Sequence, residues 1–344
     1  MTPSAVHSDA SLPASELGNL PSEFAELVSG CGLFDLSSRA KLALTGSDRV
    51  RWLNGMVTNN IRDLTQGKGV YAFLLNPQGH ILGDMYAYNR GDSLTLDTDR
   101  SQLEKLLAVF NRYIIMDDVE VANIGDQVQS IGIAGPKAEA VLRQAGFEFP
   151  PLESLQFTDV TWQSIPGTIV RGDHPGVAWY EVWLPPQQVA ALRSVLTQAG
   201  AKPVSIHAQE LLRIAAGIPR YGQDIRERDL PQETSQDRAL HFSKGCYVGQ
   251  EIVERIRSRG AVHRKFAGFE VEGQLLAPGV KVQAEGKDVG EITSAASLPS
   301  KDGERRVAIG YIRREFASGR QVQAGDTQLT VTNLPFGGIF SPGE

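Results

Sequence analysis

The sequence predicts an α+β fold built from more than one packing unit, with a β-barrel at its C-terminal end. Three observations support this prediction. The chain has 344 residues, more than one ordinary hydrophobic core organises. Apolar residues recur at helical spacing in some segments and alternate at strand spacing in others. After Gly260 the chain consists of short alternating segments with turn residues between them, a pattern typical of a small barrel.

The composition argues against two classes of protein. Hydrophobic residues make up 41% of the chain and charged residues 22%, as in a globular protein. The formal net charge of −6 argues against a surface that binds polyanions throughout, so we expect weak nucleic-acid contact or none. No apolar run reaches the roughly 18 residues that a membrane span needs, so we expect no membrane association.

The cysteines and the N-terminus predict the cellular compartment. Only Cys31 and Cys246 occur, which suits a reducing compartment and leaves no disulfide framework. The N-terminus lacks the basic and then apolar order of a secretion signal, so we predict a cytoplasmic protein. Two thiols cannot hold a conventional four-thiolate cluster within one chain, and we predict no resident metal site.

The first part of the chain opens on a tail and then alternates helix and strand. Residues 1–21 are rich in Ser, Ala and Pro without periodicity, which predicts a disordered tail. Apolar spacing then predicts a helix at 22–28, a strand at 41–44 and a helix at 48–56. A hairpin follows, because two apolar strands at 70–75 and 81–86 flank an Asn-Pro-Gln-Gly turn.

The middle of the chain repeats the mixture of strands and helices. A helix is predicted at 101–110, carrying four large apolar residues on one face. The pattern then predicts strands at 119–121, 131–134, 169–171 and 179–184, and helices at 137–144, 188–198 and 207–216. Barrel strands are predicted at 266–271, 280–282, 289–293, 307–312 and 328–331.

These elements predict a division of the chain into domains. After the tail at 1–21, a discontinuous α+β domain comprises 22–118 and 205–260. A second α+β domain is inserted into it at 119–204, and the barrel domain covers 261–340.

One octapeptide, Lys244–Glu251, has the composition of a reactive loop. Two glycines bracket a cysteine and a tyrosine, and glycine lets a backbone approach its neighbours closely. A helix predicted to begin near Gly249 or Gln250 would direct its free N–H groups toward Cys246. A lysine and a helix N-terminus both favour thiolate, so Cys246 and Lys244 are candidate catalytic residues with a lowered thiol pKa. The alternative is a small buried structural cysteine.

The segment from Lys244 to Glu251 resembles, without a break, the signature of the YgfZ family. These are folate-binding proteins related to the T-protein, the aminomethyltransferase of the glycine cleavage system, and to a mitochondrial iron–sulfur assembly factor. The segment Thr45–Asp84 is similar in its order of elements to the N-terminal region of the T-protein superfamily. The resemblance covers nearly everything from about residue 22. It implies three lobes around a central folate-binding opening, with the discontinuous domain binding folate.

The resemblance also implies a function. Members support the assembly or repair of iron–sulfur clusters in client enzymes, including enzymes that modify tRNA, and bind tetrahydrofolate or another reduced folate. By this resemblance Cys246 acts as a nucleophile or transient cluster ligand, and Lys244 tunes its thiolate. The expected contacts to the cofactor in this loop are Gly245, Tyr247, Gly249 and Gln250.

Glu181 is a further candidate for folate binding. Strand alternation places Glu181 on one face between Trp179 and Trp183, where a carboxylate could accept paired hydrogen bonds from a flat heterocycle. In the T-protein superfamily a glutamate in a comparable strand holds the pterin ring, although the turn before it is altered here. The alternative is an exposed strand charge.

Two other functions stay open from the sequence. A folate-dependent aminomethyl transferase needs an acidic residue after the N-terminal sheet, and the nearest candidates, Asp97 and Asp99, lack that enzyme's surrounding pattern. The sequence therefore leaves open whether the chain is an enzyme. An RNA-associated module would use the basic run at 255–265, which is otherwise a solvated helix end and loop.

Overall fold

The computed structural model describes residues 19–260, 262–300, 303–316 and 318–340. Most of the predicted disordered tail, residues 1–18, lies outside the described residues. The described helices are α1 (Leu20–Ser29), α2 (Arg49–Met56), α3 (Leu103–Tyr113), α4 (Ala138–Gln144), α5 (Val189–Gln198), α6 (Ile206–Ala215) and α7 (Gln250–Arg259). None of the described helices is long and apolar enough to cross a bilayer.

Two mixed α/β layers contain the first eleven strands. The five-stranded sheet has the order β3-β4-β5-β2-β6 and the six-stranded sheet the order β11-β1-β7-β10-β9-β8. Their bounds are β1 (Gly32–Asp35), β2 (Arg39–Thr45), β3 (Gly69–Leu75), β4 (Ile81–Asn89), β5 (Leu94–Asp99), β6 (Glu120–Asn123), β7 (Gln129–Ala134), β8 (Phe157–Trp162), β9 (Ile165–Arg171), β10 (Trp179–Leu184) and β11 (Lys202–Pro203).

The predicted hairpin is confirmed as β3 and β4. Gly79 closes the turn by donating its N–H to the Asn76 carbonyl at 2.9 Å, and its φ of +78° is one that glycine adopts without steric cost. The two strands pair antiparallel from Gly69 with Tyr88 to Leu75 with Ile81. The hairpin therefore forms one edge of the five-stranded sheet.

Two strands pair with the sheet on the other side of the domain boundary that we predicted at residue 118. Strand β1, from the N-terminal segment, pairs with β7 and β11 in the six-stranded sheet. Strand β6, which we assigned to the inserted domain, pairs with β2 in the five-stranded sheet. The order of strands in the chain does not determine which sheet edge completes a strand's hydrogen bonds. The division into domains stays a prediction.

The C-terminal barrel is confirmed. Six strands close in the order β12-β15-β14-β13-β16-β17, because β12 pairs with both β15 and β17. These strands are β12 (Arg264–Glu272), β13 (Lys281–Ala284), β14 (Lys287–Ser300), β15 (Gly303–Arg313), β16 (Gln321–Ala324) and β17 (Thr327–Thr332). Closure leaves no free strand edge in the barrel.

One hydrophobic cluster joins the barrel to the rest of the molecule. It contains Phe24 and Leu27 from α1, Leu212 from α6, and Phe266 and Ile309 from the barrel. Helices α1 and α6 thus pack together and against the barrel. This packing fixes the position of α6, which forms one wall of the site described next.

Candidate functional site: a central cavity

A cavity of about 250 Å³ opens where the two sheets and α6 converge. The five-stranded sheet contributes side chains from β2, β3 and β4, and the six-stranded sheet contributes the start of β10. The lining comes from segments 36–39, 71–102, 172–181 and 209–221, together with Arg238. Aromatic rings and charged groups alternate around it, as is usual for sites that bind small molecules.

Glu181 lies in the wall of this cavity. Its side chain belongs to the strand face shared with Trp179 and Trp183, and the residue is only 9% exposed. Its Oε2 accepts a hydrogen bond from the Trp183 indole N–H at 2.8 Å. The alternative, an exposed strand charge, is therefore wrong.

A buried cluster of charged side chains lies next to Glu181. The Lys41 ammonium lies 2.9 Å from Asp97 and 3.8 Å from Glu181, and it stands 4.6 Å from the centre of the Trp183 ring. Arg39 completes the cluster with a contact of 3.1 Å to Asp97. Burial alone would raise the pKa of Asp97, but the charges and hydrogen bonds of Arg39 and Lys41 hold it below its usual value.

Asp84 is a cavity carboxylate that the sequence analysis missed. It lies on the same face of β4 as Tyr86 and Tyr88, and all three line the cavity. The Tyr71 hydroxyl donates to its Oδ2 at 2.6 Å, and the Gln102 amide donates to its Oδ1 at 2.7 Å. A lone carboxylate on an aromatic strand face was the signal that could have identified it.

The two acidic residues that the sequence analysis weighed have other positions. Asp97 is 1% exposed and lies within the charge cluster rather than in the described lining. Asp99 belongs to the lining, and its carboxylate accepts hydrogen bonds from Ser101 that cap the helical turn after β5. Of the three aspartates Asp84, Asp97 and Asp99, therefore, Asp84 and Asp99 border the cavity and Asp97 does not.

The octapeptide Lys244–Glu251 packs beside the cavity, near the turn of the β3–β4 hairpin. Tyr247 is buried in a cluster with Tyr71 and Phe73 of β3. The described lining of the cavity includes none of the predicted loop residues, namely Gly245, Cys246, Tyr247, Gly249 and Gln250. Of the folate-binding and catalytic residues predicted from the sequence, Glu181 belongs to the described lining of the cavity, as does Asp99, which was weighed for the transferase alternative.

Gly249 brings this loop against the β3–β4 hairpin. Its φ is +81°, and a Cβ added there would lie 2.6 Å from the Asn76 carbonyl oxygen. Helix α7 begins at the next residue, as predicted, and the Gln250 side chain accepts from the Tyr247 N–H at 3.3 Å. In this structure Gly249 and Gln250 shape the loop itself.

The Lys244 side chain is buried and points into the protein. Its ammonium donates to the carbonyls of Asn54 and Val57 at 2.5 Å and of Asn59 at 2.8 Å. Burial and the nearby Arg62 guanidinium lower the pKa of Lys244 to about 7, while three carbonyl acceptors favour the protonated form. The lysine thus fastens the loop to the end of α2, and its role in tuning the thiolate stays a prediction.

The two cysteines differ in exposure. Cys246 is exposed on the loop, whereas Cys31 is buried, and burial raises the pKa of Cys31 to about 12. A thiol with so high a pKa stays protonated and unreactive at neutral pH. The accessible thiol of this chain is therefore Cys246.

Comparison with known proteins assigns the family. The model of the GCVT N-terminal domain matches residues 17–244. The chain belongs to the GCVT (aminomethyltransferase) family. This membership agrees with the resemblance to the T-protein superfamily. The matched residues contain both sheets that border the cavity.

Curated relatives of this GCVT-family chain carry the name aminomethyltransferase. The protein of Rubrobacter xylanophilus is 30% identical over 311 residues, which cover 89% of this chain and 82% of the relative. That of Rippkaea orientalis is 28% identical over 342 residues, covering 93% and 90%. The crystal structure of the glycine cleavage system aminomethyltransferase T from Bartonella henselae has the same fold, with a TM-score of 0.82 and 24% identity over 92% of this chain and 89% of that chain.

Three arginines in the basic run of this GCVT-family chain are paired with acids. Arg255 contacts Glu251 at 2.9 Å, and Arg257 contacts Glu254 at 3.6 Å. Arg264 contacts Asp229 at 2.6 Å. These pairs reduce the positive charge that an RNA backbone would meet, and the extent of nucleic-acid contact stays a prediction.

Proposed function

We propose that this protein binds a reduced folate in the central cavity and uses Cys246 to support the assembly or repair of iron–sulfur clusters in client enzymes, including enzymes that modify tRNA. The observation that carries the folate part is Glu181, a carboxylate in a cavity wall that is otherwise rich in aromatic rings. A flat heterocycle with several N–H donors fits such a wall, because the rings supply contact area and the carboxylate accepts its hydrogen bonds.

The residues present fit the pterin end of a folate. Trp179 and Tyr86 border the cavity with aromatic rings. Trp183 engages one oxygen of Glu181, and the other accepts no hydrogen bond from the described part of the chain, so it can accept one from a ligand. When bound, a reduced folate would supply a nitrogen that carries one-carbon groups. The chain itself holds and orients the ring system.

The iron–sulfur part of the proposal depends on Cys246. Its octapeptide resembles the YgfZ signature, and its thiol is exposed on a loop that Lys244 and Gly249 hold in place. An exposed thiol can reach a cluster or a cysteine on another protein. We infer that folate binding and thiol chemistry occur on the same face of the β3–β4 hairpin, with the Cys246 loop nearer to the turn.

Glu181→Gln is expected to weaken binding of tetrahydrofolate about ten- to hundredfold, because a hydrogen bond to a charged group contributes about 1.5–3 kcal/mol. Anaerobic titration calorimetry measures the dissociation constant. Glu272→Gln, an exposed change on the barrel, is the matched control and should bind like the wild type. Equal affinity of the Glu181 variant and the wild type would refute the role of Glu181, and a wild type that binds no folate would refute the proposed cofactor.

A folate-dependent aminomethyl transferase is the second candidate, and Asp84 is the observation that favours it. A carboxylate beside the folate nitrogen could accept or donate a proton during transfer, and Asp84 is held at the cavity by two hydrogen bonds. If this activity exists, Asp84→Asn should lower turnover of an aminomethyl donor about 100- to 10,000-fold with little change in folate affinity. A wild type with no turnover for any aminomethyl or methyl donor would exclude this candidate.

A further inference from the structure

Lys41 contacts both of the sheets that border the cavity. It lies on β2 of the five-stranded sheet opposite Asp97 of β5, and its ammonium lies 2.9 Å from the Asp97 carboxylate. The same ammonium lies 3.8 Å from Oε2 of Glu181 and 4.6 Å from the centre of the Trp183 ring, both on β10 of the six-stranded sheet. The Lys41 side chain is buried, so these groups take the place of water around its charge.

Lys41 and Trp183 engage the same oxygen of Glu181. The Trp183 indole N–H donates to Oε2 at 2.8 Å, and the Lys41 ammonium lies 3.8 Å from that oxygen. The second oxygen, Oε1, accepts no hydrogen bond from the described part of the chain. Glu181 belongs to the described lining of the cavity, whereas Lys41 and Trp183 do not. The chain therefore engages one carboxylate oxygen from outside the lining and leaves the other for a ligand.

The charges around Glu181 balance when Lys41 is in place. Arg39 and Lys41 are cations, and Asp97 and Glu181 are anions. Asp97 has two cationic partners, because Arg39 also contacts it at 3.1 Å. Glu181 has one, since Lys41 is the only cation within 4 Å of its carboxylate among the residues that the structure describes. Loss of the Lys41 charge would therefore affect Glu181 more than Asp97.

We propose that Lys41 is a positioning residue that holds the Glu181 carboxylate in place to accept hydrogen bonds from the bound heterocycle. This inference rests on the proposed function. A carboxylate that turns freely loses rotamer freedom when a ligand binds, whereas one held by Lys41 and Trp183 has lost that freedom beforehand. A flat ring that covers Glu181 also removes water from its charge, and the nearby ammonium offsets part of that cost. Lys41 contacts no ligand itself and acts through Glu181.

A double-mutant cycle on tetrahydrofolate affinity, measured by anaerobic titration calorimetry, tests this role. Lys41→Met keeps an unbranched side chain but removes the charge, and should weaken binding about five- to twentyfold. In the Glu181→Gln background the same change should alter the affinity by less than about twofold, because the carboxylate on which Lys41 acts is gone. A merely structural role would weaken binding by the same factor in both backgrounds.

Two further variants separate positioning from a general loss of stability. Leu196→Ala removes a buried side chain from the cluster that contains Tyr180 and Val182, on the face of β10 opposite Glu181. This variant should be less stable than the wild type yet bind tetrahydrofolate equally well, because Leu196 lies outside the described lining. Lys41→Gln keeps an N–H donor for Asp97, and it replaces Lys41→Met in the cycle if the Met variant does not fold.

The outcomes distinguish this inference from the proposed function. If the wild type does not bind tetrahydrofolate, the proposed folate function fails, and this inference fails with it. If the wild type binds but the Lys41 change has the same effect with and without the Glu181 carboxylate, or no effect, only the role of Lys41 is overturned. A loss of affinity in Leu196→Ala as large as that in the Lys41 variant would attribute the loss to stability and also overturn that role. Weaker binding only where Glu181 is present supports it.

Discussion

Cells that carry Cys246→Ala in place of the wild-type protein are expected to show no more [4Fe–4S] enzyme activity than cells that lack the protein. The reason is chemical, since alanine can neither attack a sulfur or carbon centre nor ligate iron. The measurement is the activity of one tRNA-modifying iron–sulfur enzyme in cells without this protein, supplied with the wild type or with the variant.

Two further variants make this experiment decisive. Ser243→Ala changes an exposed residue of the same loop and should restore activity fully. Cys31→Ser replaces the buried thiol. If this variant still restores iron–sulfur enzyme activity, after correction for the amount of variant protein in the cells, the chemistry is assigned to Cys246. Full rescue by Cys246→Ala would remove the thiol from the mechanism, and unchanged enzyme activity in the deleted cells would remove the iron–sulfur function.

Asp97→Asn is expected to lower the free energy of unfolding by about 3–5 kcal/mol, the usual cost of breaking a buried ion pair from one side. The Lys41 and Asp97 side chains are 2% and 1% exposed, so asparagine would leave the Lys41 ammonium buried without its nearest counter-charge. Urea unfolding measures the change. Asp126→Asn, at an exposed position, is the control and should lie within about 0.5 kcal/mol of the wild type.

The stability difference between the wild type and Asp97→Asn should depend on pH. The pKa of Asp97 is lowered in the folded protein, so the unfolded chain binds more protons on acidification. The contribution of Asp97 to stability is fully present above the unfolded pKa of about 4 and is lost as the pH falls through the lower folded value. The stability difference between wild type and Asp97→Asn should therefore be constant from about pH 5 to 8 and shrink below pH 4. A difference that stays constant to pH 2 would contradict this account.

Local patterns were enough for much of the fold. The hairpin of β3 and β4 follows from two apolar strands and a turn that ends at Gly79, and α7 follows from apolar spacing after Gly249. Alternation after residue 260 predicted the barrel, whose closure is now observed. Strand β8, in contrast, was missed, because it lies at a sheet edge, where two of its six residues are exposed and two only partly buried, and so has a weak apolar signal.

The site was less accessible to sequence reasoning. Strand alternation around Glu181 predicted which side chains share its face, and that face borders the cavity. Asp84 was missed because its role depends on β4 facing a second sheet. Lys244 was interpreted through Cys246, its neighbour two residues away, yet its ammonium bonds Asn54, which is 190 residues away in the chain.

The sequence by itself determined the elements whose signals are local: apolar period, turn chemistry and the composition of the octapeptide. Only the tertiary structure decided which sheet β1 and β6 complete, that Asp84 and Glu181 border one cavity, and that the loop residues lie beside it, outside its described lining. The physical reason is that hydrogen-bond partners, burial and charge pairs are made between distant segments. A side chain's chemistry is set by those neighbours rather than by its position in the chain.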